Sequence, residues 1–207
     1  MGSADGGDDE KPAHAVTIAR PFYIGVHEVT QGQYEAVMGS NPSQFKGADR
    51  PVEQVSWEDA RTFCRRLSEK EPGAIYRLPT SAEWECACRG ATTGRYYFGG
   101  GPAALRRAAW FQSNAGMQTH NVDVQPDDSV AHPLGLHHML GNVWEWCEDI
   151  YQVYPGGEPN RFMDGSRRVI RGGAFDSNHA LLSTSARSAE TVQAADPAIG
   201  FRVVREE

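Results

Sequence analysis

The segment Gly141-Asn-Val-Trp-Glu-Trp-Cys-Glu-Asp149 sets one carboxylate between two indoles, directly after a Gly-Asn turn signal. Strand alternation puts Val143, Glu145 and Cys147 on one side and Trp144 and Trp146 on the other. Exposing both indoles would forfeit several kcal/mol of apolar burial, so at least one ring belongs in the core. Glu145 then sits at a packed position where a carboxylate needs a partner. That partner is either a positive or donor group of the protein or a bound cation, and the residues leave both open.

Other chemistry-bearing groups are less suggestive. His137-His138 are adjacent and point apart on a helix or a strand. His27-Glu28 lacks the second His of a zinc-protease helix. Asp176, Ser177 and His179 have the residue types of a triad, but sequence neighbours do not adopt triad geometry and no nucleophile elbow is present. Gly99-Gly-Gly101 is followed by Pro102 with no closing Lys-Ser/Thr, so it reads as a flexible loop and not a phosphate cradle. Cys64, Cys86, Cys88 and Cys147 match neither a zinc tetrad nor a dense disulfide framework. Cys64 and Cys88 fall on apolar helix faces. Buried reduced thiols are expected, which mildly favours a reducing, cytoplasmic compartment.

Three short helices must position these groups. Thr30 with Gln33 forms a capping box, and Gly39 closes that helix. Ser56 with Asp59 starts the second, whose Ala60, Phe63, Cys64 and Leu67 recur at i, i+3, i+4, i+7. Thr80 with Glu83 starts the third, whose apolar face is Trp84, Ala87 and Cys88, with Gly90 at its end. The expected helices are 30–38, 56–69 and 80–89. Expected strands are Val16–Ile18, Phe22–Val29, Val169–Ile170 and Phe201–Val204, with the last two in one small sheet. Residues 90–135 read as long loops, with 99–107 the weakest candidate boundary. Scattered short strands with a few helices make an α+β fold.

Composition narrows the function. A chain of 207 residues with 40% hydrophobic and 23% charged residues is an ordinary globular protein of single-domain size. Its net charge of −7 argues against a nucleic-acid or anionic-membrane surface. No apolar run approaches the length of a membrane span, and the Gly- and Asp-rich start is not a signal peptide.

The chain also resembles the formylglycine-generating enzyme/sulfatase-modifying-factor family, a branch of the C-type lectin-like fold. The matching pieces run in family order: Phe22 to Gln31, Asn41-Pro42, Pro51-Val52, Val55-Ser-Trp57, Arg77-Leu-Pro-Thr-Ser-Ala-Glu-Trp-Glu85, Gly135-Leu136, Met139 to Trp146, Arg168-Val-Ile-Arg-Gly-Gly173 and Ile199-Gly-Phe-Arg202. The resemblance implies one loop-rich domain over 1–207 with a small antiparallel sheet. Met1-Gly-Ser resembles the interior of the family's opening motif, so an upstream segment is expected. The family's oxidases use a copper-binding Cys pair just after the C-terminal Gly-Gly. Here Ser177 and Leu182 stand near those positions, and neither supplies a thiolate. A second branch uses an iron-binding His motif that this chain lacks. The resemblance further implies a possible calcium site at the carbonyls of Leu140, Gly141 and Val143 with the Glu145 carboxylate. The family's other calcium site matches only at Asn114-Ala115. No cofactor is required.

Between Arg171-Gly-Gly173 and Ile199-Gly-Phe-Arg202 lie small, mixed, non-periodic residues, the arrangement expected of a recognition loop. Variable proteins of diversity-generating retroelements use this fold and vary in this stretch. The reading is therefore a non-catalytic binding module for a protein or other macromolecule, without nucleic acid or membrane insertion. The alternative is an enzyme or enzyme-accessory domain of the same family. The expected surface in 174–198 is Phe175, Asp176, Ser177, Asn178, His179, Ser183, Ser185, Glu190, Thr191 and Gln193 as one exposed patch. Leu181 or Leu182 should turn inward, and Arg187 and Arg202 should act as scaffold.

Overall fold

In the computed structural model, which describes residues 1–159 and 163–207, each of the three expected helices begins at its capping box. Thr30 Oγ1 accepts from the Gln33 N–H at 3.1 Å while the Gln33 side chain accepts from the Thr30 N–H at 3.0 Å, starting α1 (Gln31–Met38). Ser56 and Asp59 start α2 (Trp57–Lys70), and Thr80 and Glu83 start α3 (Ser81–Arg89). Gly39 and Gly90 end the first and third in the left-handed region, where a side chain would be strained. One helix was not expected. Pro102 at the first turn, followed by two Ala and Leu105, forms α4 (Pro102–Ala108) within the stretch read as a flexible loop and candidate boundary. Leu105 and Ala108 are fully buried, so burial fixes this helix against the rest of the fold.

The strands are β1 (Phe22–Ile24), β2 (Tyr76–Arg77), β3 (Trp144–Ile150), β4 (Arg167–Arg171), β5 (Arg187–Thr191), β6 (Ile199–Gly200) and β7 (Val204–Glu206). They form two sheets where one was expected: an antiparallel β1-β7-β2 sheet and a mixed β5-β4-β3-β6 sheet with β3 parallel to β6. The expected strand 201–204 divides because Arg202 turns into the interior between β6 and β7. The expected strand 22–29 is regular only to Ile24, although Gly25 and Val29 still donate to the Val203 and Phe201 carbonyls at 2.9 Å. Among the described residues, Val16–Ile18 has no partner strand and is not part of either sheet.

The mixed sheet carries a core on each face. Trp144, Trp146 and Ile170 pack with Val52, Val55, Trp57, Phe63 and Phe201. Cys147 and Val169 pack with Trp84, Leu105, Met139, Leu140 and Leu182 on the other side. Two of the buried indoles satisfy their N–H groups on backbone: Trp57 donates to the Cys147 carbonyl and Trp146 to the Val55 carbonyl, both at 2.9 Å. Gly141 precedes β3 at φ +82, and a Cβ there would collide with the backbone of Trp110, which lies against it.

Glu145 faces inward with no exposure, and its partner is Arg202. Arg202 Nε and Nη2 donate to the two carboxylate oxygens at 2.7 Å each, and Trp84 Nε1 adds a third bond at 2.7 Å. Burial pushes the Glu145 carboxyl up from its ordinary value, against the pull of Arg202. Burial likewise opposes the Arg202 charge, but Glu145 outweighs it and the guanidinium pKa is raised. Removing one partner strands the other charge in the core. Arg202→Met and Glu145→Leu should each cost about 3–5 kcal/mol, and the double variant less than the sum of the two. Urea unfolding of the four proteins checks this; additive losses would mean that the pair is not coupled.

Candidate recognition surface

The stretch after β4 is shaped from beneath. Arg171, fully buried, donates Nη1 to the Ser185 and Ala186 carbonyls at 2.9 and 3.1 Å. Its other nitrogens reach Ser81 Oγ, Glu85 Oε2 and the Tyr154 hydroxyl. The chain then turns through Gly173, at φ +77, where a Cβ would press on Leu182 at 3.0 Å. Ser177 Oγ accepts from the Ala174 N–H at 2.9 Å and closes a tight turn. Phe175 drops into the core edge-on to Phe45, with ring centroids 5.3 Å apart. Asn178 Oδ1 accepts from the Ala180 N–H at 2.9 Å and caps the short turn His179–Leu181. Leu182 is the inward anchor, whereas Leu181 is 41% exposed.

The expected single patch therefore divides. Asp176, Asn178, His179 and Gln193 are exposed. Phe175, Ser177, Ser183 and Ser185 are buried, which corrects their assignment to the surface. The reason lies in their hydroxyls and ring. Ser183 Oγ accepts from the Ala186 N–H at 2.9 Å, and Ser185 Oγ donates to Glu10 at 2.5 Å, so these small residues satisfy groups inside a close turn. Glu190 and Thr191 are half-buried at the end of β5 opposite Arg168 and Arg167. Four residue steps from Arg187 carry Thr191 roughly 13 Å away from the loop. Arg187 is scaffold as expected, buried with its guanidinium over the rings of Tyr151 and Tyr154 at 4.4 and 4.1 Å.

Two further segments border the candidate surface, and sequence reasoning missed both. The Gln112 N–H donates to the Ser177 carbonyl at 3.2 Å, laying exposed Gln112 and Ser113 beside the loop. Arg95 Nη2 donates to the Ala180 carbonyl at 2.9 Å from the opposite side. The only sequence signal was the Gly- and Asn-rich character of 90–135. Partial desolvation, with the Asp196 carboxylate nearby, pushes the Asp176 carboxyl above its ordinary value.

The candidate calcium ligands Leu140, Gly141, Val143 and Glu145 fit the ion poorly. Both Glu145 oxygens accept from a buried guanidinium, so a cation would have to share the carboxylate with Arg202 at close range. Asn114 of the other family site spends its amide on the Arg106 and Ala109 carbonyls and its oxygen on the Phe111 N–H. No group of three His, Cys, Asp or Glu side chains is poised to hold a metal among the described residues.

Residues 1–207 match the model of the sulfatase-modifying factor enzyme 1-like domain. The chaperone protein LppX of Paenibacillus barcinonensis is 32% identical over 89% of this chain and 80% of its own. The formylglycine-generating enzyme of Streptomyces coelicolor is 33% identical over 74% of this chain, which spans about half (52%) of that enzyme. Among solved structures, Treponema denticola variable protein 1 superposes with a TM-score of 0.80 at 30% identity, over 90% of this chain and 84% of that one.

Two outcomes follow from this geometry. Asp176→Ala and His179→Ala should each shift stability by less than about 0.5 kcal/mol, whereas Phe175→Ala should cost about 3–5 kcal/mol. A thermal-melt series reads both, and equal losses at all three positions would refute the division between rim and core. Exchanging EDTA for millimolar calcium should leave the melting temperature of the wild-type chain unchanged; a rise would restore the calcium site.

Proposed function

The chain belongs to the sulfatase-modifying factor enzyme 1-like domain family, and from that premise we propose that residues 1–207 act as one non-catalytic recognition domain. Its binding surface is the exposed loop Asp176, Asn178, His179 and Leu181, flanked by Gln112, Ser113 and Arg95. Its partner is a protein or other macromolecule, and the domain works in the manner of the variable proteins of diversity-generating retroelements. The observation that carries this reading is the separation of labour in 174–186. Buried side chains fix the backbone there, while the exposed ones, Asn178 excepted, make few bonds within the protein. Such positions can change without unfolding the domain.

The names of the relatives support a macromolecular partner: one is a chaperone and another a variable protein. The charge of −7 weighs against a polyanion. Asp176 beside Asp196 favours a donor or cationic group on the partner at that point.

The copper-dependent oxidation of the family's Cys-pair enzymes would need a thiolate pair after Gly173, and the stretch 174–198 contains no Cys. Three of the four thiols are buried, and burial pushes Cys64 up to about 12 and raises Cys88 and Cys147 well above the ordinary thiol value, so they stay protonated at neutral pH.

A display library randomised at Asp176, His179 and Leu181, selected against unrelated purified proteins, tests the reading. Specific binders with near-parental melting temperatures are expected. A library built instead on the exposed α2 positions Glu58, Arg65 and Glu69 should give none; equal yields from the two libraries would sink the proposal. In parallel, a Cys-containing sulfatase peptide incubated with copper should keep its thiol by mass spectrometry, and copper-dependent conversion to the aldehyde would establish the enzyme instead.

A further inference from the structure

Away from this surface, the stretch Ala15-Val-Thr-Ile-Ala-Arg20 has strand-forming residues but no strand to pair with. Its β-branched Val16, Thr17 and Ile18 suit a pleated, half-covered surface, yet Val16 is 46% exposed. Both flanks are held by backbone pairing. The His14 N–H donates to the Met1 carbonyl at 2.9 Å, and Phe22, Tyr23 and Ile24 pair with β7. Between these flanks, residues 15–20 make no hydrogen bond to any described residue. A run of free N–H and C=O groups is the template on which a further strand adds.

A groove of about 540 Å³ runs between this segment and the start of α3. That volume lies within the range of ligand-binding clefts, about 300–1,000 Å³. Its lining sets Glu83, Asp149, Glu206 and Glu207 against Arg20 and Arg77. Arg77 is already committed, donating to the two Glu83 oxygens at 2.7 Å each and to Glu206 at 2.9 Å. Asp149 accepts from the Ser81 N–H at 2.6 Å and has no cationic partner among the described residues. We propose that residues 15–20 receive an extended peptide of a partner protein, added as a strand along this backbone, with a Lys or Arg side chain set into the groove toward Asp149. Backbone pairing supplies the affinity, and the carboxylates supply the preference for a basic residue. A second copy of this chain is the poorer occupant, because its net charge of −7 meets a groove that is itself acidic. The groove shares no residue with the loop 176–181, so this inference stands apart from that surface.

The probe is the blocked peptide acetyl-Thr-Lys-Val-Lys-Val-Lys-Thr-amide, whose alternation sets its Lys side chains on one side and its Val side chains on the other. Titrated into the isotope-labelled chain, it should give saturable amide shifts centred on residues 15–20 and slow hydrogen exchange there. Shifts centred elsewhere, or none with millimolar peptide, overturn the proposal. The counterpart with Glu at each Lys position should bind about tenfold more weakly or worse, and equal affinity would remove the role of the carboxylates. Backbone N-methylation at the Lys residues strips the N–H groups from one edge of the peptide, and at the Val residues from the other. One of these two analogues should lose binding; retention by both would refute the backbone pairing. Asp149→Asn keeps an acceptor for the Ser81 N–H and should weaken binding of the Lys peptide by about two- to fivefold, while Asp123→Asn leaves it unchanged. Equal losses in the two variants would reduce the preference to net charge. Protection of residues 15–20 that rises with protein concentration alone would assign the segment to a second copy instead.

Discussion

Glu145 and Arg202 leave water together, and much of the chain's path around the mixed sheet follows from how their hydrogen bonds must then be met. A guanidinium has five N–H donors. Arg202 spends all five: two on the Glu145 carboxylate and three on the carbonyls of Gly25, Val26 and His137. The carboxylate's third bond comes from Trp84 on α3. Three segments distant in sequence, and the nearby His137, are thereby tied to β3. None of these carbonyls lies within a regular strand, so the ion pair replaces the sheet ladder where the chain loops. It is one reason why a fold with so little regular structure leaves few buried side-chain polar atoms unmet among the described residues.

Arg171 does the corresponding work one strand away. It sits opposite Glu145 in the β3–β4 register, yet its carboxylate partner is Glu85 at 3.0 Å, on α3. Both arginines therefore draw α3 onto the same face of the sheet, one through Trp84 by way of Glu145 and the other through Ser81 and Glu85. A second buried network adjoins them. Asn142 accepts from the His120 N–H at 2.8 Å, which fixes its amide to donate to Glu28 Oε1 at 3.0 Å. Burial pushes the Glu28 carboxyl up, but His138 and Arg202 more than offset it, and its pKa is lowered.

Much of this was legible in the sequence because it depends on local rules. Capping boxes locate α1, α2 and α3 to within a residue, since side-chain and backbone atoms three positions apart must close a specific ring. Alternation in β3 put Glu145 on the face opposite the two indoles and demanded a partner for it. The identity of that partner was not legible, because Arg202 lies far along the chain and several arginines were equally available. Helix α4 was missed because a short Ala-rich turn after three glycines has weak intrinsic preference and exists through the burial of Leu105 and Ala108. The depth of Ser177, Ser183 and Ser185 was misjudged for a related reason. A hydroxyl is equally at home in solvent and in a tight turn that needs an acceptor, and only the turn decides.

That misjudgement bears on how the proposed recognition surface is made. Strand patterns separate inside from outside every second residue, but the loop 174–186 alternates by need: a hydroxyl or ring goes inward wherever a backbone group or a void must be filled. What stays outside is the remainder, Asp176 and the short turn from Asn178 to Leu181. Its shape is set by Arg171, Leu182 and the buried serines, none of which a partner on this face would touch. Asn178 is the exception, because it caps the turn it is displayed on. On the proposed reading, affinity and stability are thus uncoupled at Asp176, His179 and Leu181 and coupled at Asn178, where a substitution that improves contact must also offset a lost cap.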